Sequence, residues 1–261
     1  NMYLMNKKRF SNAAKTYDLH AAPQKELAKS ITDLLPSLVD PRILEIGSGT
    51  GVLTRMLIEK YPTSKIHAID IADDMVKLCE RDFSCFDNVS WEVADGETYQ
   101  DNCTYDLISS SASLHWTVNI FDTLSNIYNY LKPGGYFILG MMLKGTLSEL
   151  RSLRKNIAPN KGNGPILPSK KEMDSYIHAI GFDIIKNNHS LKKIEYKNTQ
   201  TFLSSIHEQG VTPLQKNDFP LNRSELIDLI NCYQKLNAGD NCVYATYETA
   251  GYLLQKPLIN D

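Results

Sequence analysis

Residues 45–51, Glu-Ile-Gly-Ser-Gly-Thr-Gly, combine one acid with three closely spaced glycines. Glycines at a turn between a strand and a helix let backbone N–H groups approach a ligand closely. Glu45, directly before that turn, can accept a hydrogen bond from a ligand ammonium group, whereas it would repel a pyrophosphate. The loop therefore indicates a ligand with an amino-acid moiety, and a purely structural turn is the alternative.

Two further acids end the next two predicted strands. Asp70 follows the loop by about 20 residues, the spacing at which an acid accepts from ribose hydroxyls in nucleotide-binding folds. Val52 stands where a G-x-G-x-x-G dinucleotide motif has its third glycine, which disfavours a dehydrogenase. Asp95 can accept from the exocyclic amine of adenine while Gly96 donates from its backbone; an ordinary turn or helix N-cap residue is the alternative for Asp95.

These residues require elements that bring them to one edge of a sheet. Apolar runs predict strands at 42–46, 65–69, 89–93, 105–109, 136–140, within 182–196 and at 242–254, with a tight turn at 131–135. Helical periodicity covers 52–61, 73–83, 119–131, 146–157, 171–180, 199–209 and 223–236, and two helices within 7–38, the second beginning at Pro23. The alternation predicts an α/β fold with a mainly parallel sheet and a ligand beyond the carboxyl ends of its strands.

The whole chain, residues 1–261, is predicted to form a single domain. Residues 1–40 are expected to form an N-terminal helical lid and residues 41–144 the ligand-binding core. Residues 145–240 supply cap elements and the sixth strand, and residues 241–256 the seventh strand. No linker separates the cap elements from the core.

Composition disfavours several classes of protein. With 261 residues, 42% of them hydrophobic, the chain can bury a full core. A net charge of -2 and a pI near 6.3 argue against mainly electrostatic binding to nucleic acid. The five cysteines have no C-x-x-C spacing, so neither a disulfide framework nor a metal site is expected. The absence of long apolar runs predicts a cytoplasmic protein without membrane contact.

Over roughly residues 40–143, the order and spacing of these motifs resemble the class I S-adenosylmethionine-dependent methyltransferases. The resemblance implies a Rossmann-like sheet of seven strands in the order 3-2-1-4-5-7-6. It also implies S-adenosylmethionine as methyl donor and S-adenosylhomocysteine as product. The implied donor site contains Glu45, Gly47, Ser48, Gly49, Gly51, Asp70, Ile71, Met75, Asp95, Gly96 and Ser111.

Segments outside this core resemble a narrower family. Residues 9–24, 109–116, 144–150 and 167–169 are similar to the malonyl-acyl-carrier-protein O-methyltransferases of biotin synthesis, so that the resemblance runs over nearly the whole chain. Ser111 and His115 depart from the family pattern, which has Asn and Gln at these positions. The acceptor pocket of this chain is therefore expected to differ in its polar groups.

The resemblance implies that the free carboxylate of a malonyl thioester attacks the donor methyl group and becomes a methyl ester. No general base is required, because a carboxylate with a pKa of about 4 is ionised at neutral pH, and catalysis consists of positioning and exclusion of water. Positioning is expected from Tyr17, His115 and Trp116. Acceptor binding is expected from Tyr17, His20, Gln24, His115, Trp116, Lys144 and Arg151, of which the first three share one helix face. The alternative is that these side chains have no part in acceptor binding. They would then pack in the core or, in the case of Lys144 and Arg151, be solvated at the surface.

The partner implied by the resemblance is an acyl-carrier protein that is acidic around its prosthetic-group serine. Contacts with it are expected from Lys7, Lys8, Arg9, Arg151, Arg154 and Lys155. Such contacts chiefly steer association and depend on salt.

Two other functions remain open. One is methylation of a free small carboxylic acid or another metabolite, and the other is non-catalytic binding of an adenosyl ligand. A nucleic-acid methyltransferase is disfavoured, because no N-P-P-Y-type motif follows the fourth predicted strand.

Overall fold

The computed structural model describes residues 22–162, 164, 166–208, 219–239 and 241–258. Tyr17 and His20, predicted to bind the acceptor, lie outside the described residues. So do Lys7, Lys8 and Arg9, predicted to contact a carrier protein.

The described residues form one sheet in the order β3-β2-β1-β4-β5-β8-β6, with β7 beside β8. The strands are β1 (Arg42–Ile46), β2 (Lys65–Asp70), β3 (Val89–Val93), β4 (Tyr105–Ser111), β5 (Leu131–Met142), β6 (Asp183–Tyr196), β7 (Ala238–Gly239) and β8 (Cys242–Gln255). Strands β1 to β5 run parallel, while β8 is antiparallel to both β5 and β6. The predicted fold class and strand order are confirmed. Only β7 was not predicted, since two residues give no periodic pattern.

Helices cover both faces of the sheet, which makes three layers. They are α1 (Ala22–Thr32), α2 (Val52–Lys60), α3 (Asp73–Asp82), α4 (Ile120–Tyr130), α5 (Ser148–Ile157), α6 (Lys170–Ile180), α7 (Thr199–Glu208) and α8 (Arg223–Leu236). One face packs on Leu27 and Leu57 of α1 and α2, and the other on Leu124 and Ile177 of α4 and α6. Burial on both faces explains why β1 is a continuous apolar run.

A third apolar cluster lies around the first half of β8. It joins Leu150 of α5, Phe202 of α7 and Tyr233 of α8 to Val243 and Tyr247 of the strand. The cap elements therefore have their own core, built directly on the sheet. None of the helices in the described ranges combines the length and apolarity needed to span a bilayer.

Two predicted boundaries are wrong for a local reason. Helix α5 begins at Ser148 rather than at Thr146, because the Thr146 hydroxyl donates to the carbonyl of Glu248 and Leu147 has a φ of 55°. Strand β5 begins at Leu131, inside the predicted turn, because Leu131 pairs with Tyr105 before an irregularity in register.

Gly51→Ala is expected to lower the free energy of unfolding by about 3 kcal/mol. Gly51 precedes α2 with a φ of +83°, and an added Cβ would lie 2.5 Å from Cε2 of Phe83. Gly49→Ala is the matched control, because Gly49 also has a positive φ but a Cβ there meets nothing within 4 Å. It should cost only about 1 kcal/mol. Urea unfolding measures the free energy of unfolding of both variants. An equal loss of stability in the two would contradict the steric role of Phe83.

Candidate donor and acceptor site

A cavity opens at the carboxyl ends of β1, β2, β3 and β4. Among the predicted donor residues it is lined by Gly47, Gly49, Asp70, Ile71, Met75, Asp95, Gly96 and Ser111. A smaller cavity between α1 and the glycine loop is lined by Glu45, Ser48 and Gln24, and it shares Gly47, Gly49 and Ser111 with the first. The topology thus brings the predicted acids of three neighbouring strands around two adjoining spaces.

Glu45 is fully enclosed at the smaller cavity, with 1% of its surface exposed. Its carboxyl group accepts a hydrogen bond from the Thr54 hydroxyl of α2. Burial raises the pKa of Glu45 to about 8, and the nearby charge of Asp70 adds to the rise, against the lowering effect of Thr54. A cation placed in this cavity would favour the ionised form of Glu45, as a ligand ammonium group requires.

Asp70 shapes the glycine loop as well as facing the larger cavity. One carboxylate oxygen accepts from the Gly49 N–H and the other from the Ala72 N–H, both at 2.8 Å. Burial raises the pKa of Asp70, and these backbone hydrogen bonds oppose the rise. The same side chain therefore fixes the turn and presents an acceptor to the cavity.

Asp95 and Gly96, which follow β3, also line the larger cavity. The Asp95 carboxylate accepts from the Glu97 N–H at 2.9 Å, so the turn predicted as its alternative role is present alongside its position in the cavity wall. Gly96 cannot carry a side chain, because a Cβ would lie 2.4 Å from Cγ2 of Ile46.

The close approach of a neighbouring side chain also explains why position 47 is a glycine. It has a φ of +74°, and a Cβ would meet Oγ of Ser113 at 2.0 Å. Gly51, in contrast, lines neither cavity and contacts the ring of Phe83 instead. Its role in the structure is packing at the start of α2, although the sequence grouped it with the donor site.

Two buried hydroxyl groups at these cavities indicate that a polar ligand fits there. The Oγ atoms of Ser48 and Ser111 have no hydrogen-bond partner among the described residues, although both side chains line these cavities. Unsatisfied buried polar atoms are costly and usually mark the place of a missing partner. The two serine hydroxyl groups fit a ligand that has many polar atoms, such as S-adenosylmethionine.

Of the predicted acceptor residues that the structure describes, Trp116 and Gln24 line these cavities, whereas His115, Lys144 and Arg151 do not. Trp116 lines the larger cavity from a 3-10 turn at Leu114–Trp116, and the His115 ring packs on it with centroids 4.5 Å apart. Burial lowers the pKa of His115 to about 3, helped by the charge of Arg151, so its imidazole is neutral at pH 7. Burial also lowers the pKa of Arg151, while Lys144 is exposed.

Sequence reasoning missed several residues of the cavity wall. Ala94, Glu97, Ala112, Ser113, Leu114, Thr117 and Val118 also line it. All of them follow β3 or β4, so the rule that ligands bind beyond strand ends could have found the segments. Glu97 closes this wall, because its carboxylate accepts from the N–H groups of Val118 and Asn119.

Residues 44–137 match the sequence profile of the methyltransferase domain family. The fold is similar to that of YjhP from E. coli, with a TM-score of 0.62, 14% identity and coverage of 95% of this chain and 98% of that one. It is also similar to phosphoethanolamine N-methyltransferase 2 of Haemonchus contortus in complex with S-adenosyl-L-methionine, with a TM-score of 0.56, 19% identity and coverage of 89% and 52%. Residues 44–137 therefore match a methyltransferase domain, and the whole fold is similar to that of these solved structures.

The chain also resembles one group of methyltransferases along nearly its whole length. It is 29% identical to the malonyl-[acyl-carrier protein] O-methyltransferase of Priestia megaterium, covering 96% of both chains. It is also 29% identical to malonyl-[acyl-carrier protein] O-methyltransferase 2 of Ilyobacter polytropus, covering 95% of both.

Glu45→Gln is expected to remove much of the pH dependence of stability in the absence of donor. Folding raises the pKa of Glu45 from its ordinary value of 4.5 to about 8, so its stabilising effect is complete below pH 4.5 and is lost as the pH rises through 8. The free energy of unfolding of the wild type should fall by a few kcal/mol over that range, on the order set by a shift of this size.

Urea unfolding at about pH 5 and about pH 8 measures this slope. Glu59→Gln, at an exposed position of α2, is the matched control and should leave the slope unchanged. Equal slopes for Glu45→Gln and the wild type would contradict the assignment.

Proposed function

We propose that this chain transfers the methyl group of S-adenosylmethionine to the free carboxylate of malonyl-acyl-carrier protein, a methyl-ester-forming step of biotin synthesis. The observation that carries the acceptor is the similarity to malonyl-[acyl-carrier protein] O-methyltransferases over 95% or more of each chain. The arrangement of Glu45, Asp70 and Asp95 around one cavity system supports the donor.

Each acid is matched to one part of the donor. Glu45 would accept from the ammonium group, Asp70 from the ribose hydroxyls, and Asp95 from the adenine amine. Ser48 and Ser111 would give their buried hydroxyls partners. S-adenosylmethionine supplies an electrophilic sulfonium methyl group, so the protein has to orient it and keep water away from it.

The proposed acceptor side combines one half-buried cation, Arg151, with neutral groups. The charge of Arg151 acts on His115, the neighbour of Trp116, and the Nε of Arg151 donates to the carbonyl of Thr146 at 3.2 Å. Arg151 would attract the malonyl carboxylate, while the neutral imidazole of His115 and the ring of Trp116 would orient it without a second charge. This balance matters because a tight ion pair would weaken the carboxylate as a nucleophile. No general base is needed, since a carboxylic acid is already ionised at neutral pH.

Asp95→Ala is expected to weaken donor binding by about tenfold, the loss expected for one hydrogen bond to a buried ligand group. The measurement is calorimetric titration with S-adenosylmethionine and S-adenosylhomocysteine. Asp87→Ala, at an exposed residue before β3, is the control and should bind both as the wild type does. An unchanged affinity in Asp95→Ala would remove Asp95 from the donor site.

Incubation with methyl-labelled donor and malonyl-carrier protein should add the mass of one methyl group to the carrier. Malonyl-CoA and free malonate are the comparison acceptors, and intact-protein mass spectrometry gives the readout. Equal or faster methylation of free acids would favour a small-acid methyltransferase. Donor binding without turnover of any of these acceptors would favour a non-catalytic role.

A further inference from the structure

Thr54 is a fully buried polar residue among the apolar side chains that α2 packs against the sheet. A threonine inside a helix can satisfy its hydroxyl by donating to a carbonyl one turn earlier, as Thr123 of α4 does with the carbonyl of Asn119 at 2.9 Å. The Thr54 hydroxyl instead donates out of its own helix, to Oε2 of Glu45 in β1. Packing alone does not explain a hydroxyl here, because valine has nearly the same shape.

The hydrogen bond from Thr54 is the one that the Glu45 carboxyl group receives from the described residues. Ala68 of β2 and Ser109 of β4 flank Glu45 in the sheet. Alanine has no side-chain donor, and the buried Ser109 hydroxyl has no hydrogen-bond partner among the described residues. The neighbouring strands therefore do not replace Thr54, and Oε1 of Glu45 is left for a ligand.

The charges around Glu45 make this hydrogen bond matter. Lys25 of α1 lines the same cavity but forms no ion pair with Glu45, and Asp70 of β2 adds a like charge. Burial raises the pKa of Glu45 to about 8, whereas the hydrogen bond from Thr54 lowers it. Thr54 thus opposes both burial and Asp70, and it favours the ionised carboxylate.

We propose that Thr54 is a positioning residue for the methyl donor, because it holds Glu45 in the ionised form that accepts the donor's ammonium group. Thr54 lines neither cavity, so it acts through Glu45 and does not touch the donor. The proposal rests on the donor part of the proposed function. It implies that donor binding near neutral pH releases a proton from Glu45 to the solvent.

This proton release fixes the sign of the pH dependence. Glu45 in the free protein, with a pKa of about 8, is mostly protonated at neutral pH, whereas a bound ammonium group requires the carboxylate. Affinity for the ligand should therefore rise with pH, by at most about tenfold per pH unit, until Glu45 is ionised in the free protein as well.

The test is Thr54→Val, which keeps the shape of the side chain and removes the hydrogen bond to Glu45. Calorimetric titration with S-adenosylhomocysteine, which carries the same ammonium group, measures affinity between about pH 6 and about pH 9. The variant should bind about tenfold more weakly than the wild type at about pH 7, the loss expected for one hydrogen bond to a charged group. This loss should shrink toward about pH 9, where Glu45 no longer has to lose a proton on binding.

Three controls separate this role from packing. Thr123→Val removes the other buried helix hydroxyl described above, and it should leave the affinity and its pH dependence at wild-type values. Thr54→Ser keeps the hydroxyl and should restore the wild-type pH profile. The ligand 5′-methylthioadenosine, which has the adenosine part of the donor but no ammonium group, should bind to the wild type and to Thr54→Val equally at every pH.

A count of released protons tests the coupling in the wild type itself, independently of how well Thr54→Val folds. Titration heats in two buffers of different ionisation enthalpy should show release of about one proton per S-adenosylhomocysteine at about pH 7. No release would overturn the role of Thr54 while leaving the proposed function standing. A loss in Thr54→Val that is the same at every pH, or that extends to 5′-methylthioadenosine, would do so too. If the wild type does not bind S-adenosylhomocysteine at all, the proposed function fails together with this inference.

Discussion

The cavity system of this protein depends on two carboxyl groups that are buried near the carboxyl ends of adjacent parallel strands. Burial penalises the charged forms of Glu45 and Asp70, and each is partly compensated by its own hydrogen bonds. Asp70 accepts one of them from Gly49 of the glycine loop and the other from Ala72, so the backbone conformation of the loop is coupled to the protonation state of Asp70. A ligand that brings both a cation and hydroxyl donors relieves this constraint, which is a physical reason for the fold to bind an adenosyl sulfonium amino acid.

The cap is held by a different element, the antiparallel strand β8. Glu248 accepts from the Gly145 N–H at 2.6 Å and from His189 at 2.8 Å, and the backbone of Leu147 donates to Thr246. These bonds fix the loop after β5 and with it the start of α5, the helix that carries Arg151. The cap is therefore positioned by the sheet itself, close to the ends of the strands that form the donor cavity.

There is a physical reason why the sequence predicted residues that line the cavities. Glycine positions, strand-ending acids and apolar runs are constrained by residues close in sequence, so the positions of Gly47, Gly49 and Asp70 at the cavity could be inferred from spacing. Gly51 shows the limit of that reasoning, because its need for a missing side chain arises from the ring of Phe83, 32 positions away, rather than from a ligand.

By itself the sequence determined the α/β class, the order of the long strands and the acids that meet at one edge, because hydrophobic periodicity and turn chemistry are local. Only the tertiary structure decided which polar groups of the cap are available. Arg154, Lys161 and Glu149 are occupied by partners more than 60 residues away, in α8, β8 and the segment before α8. The neutral state of His115 was also beyond the sequence, because it follows from burial beside Arg151, and burial is a property of the packed chain.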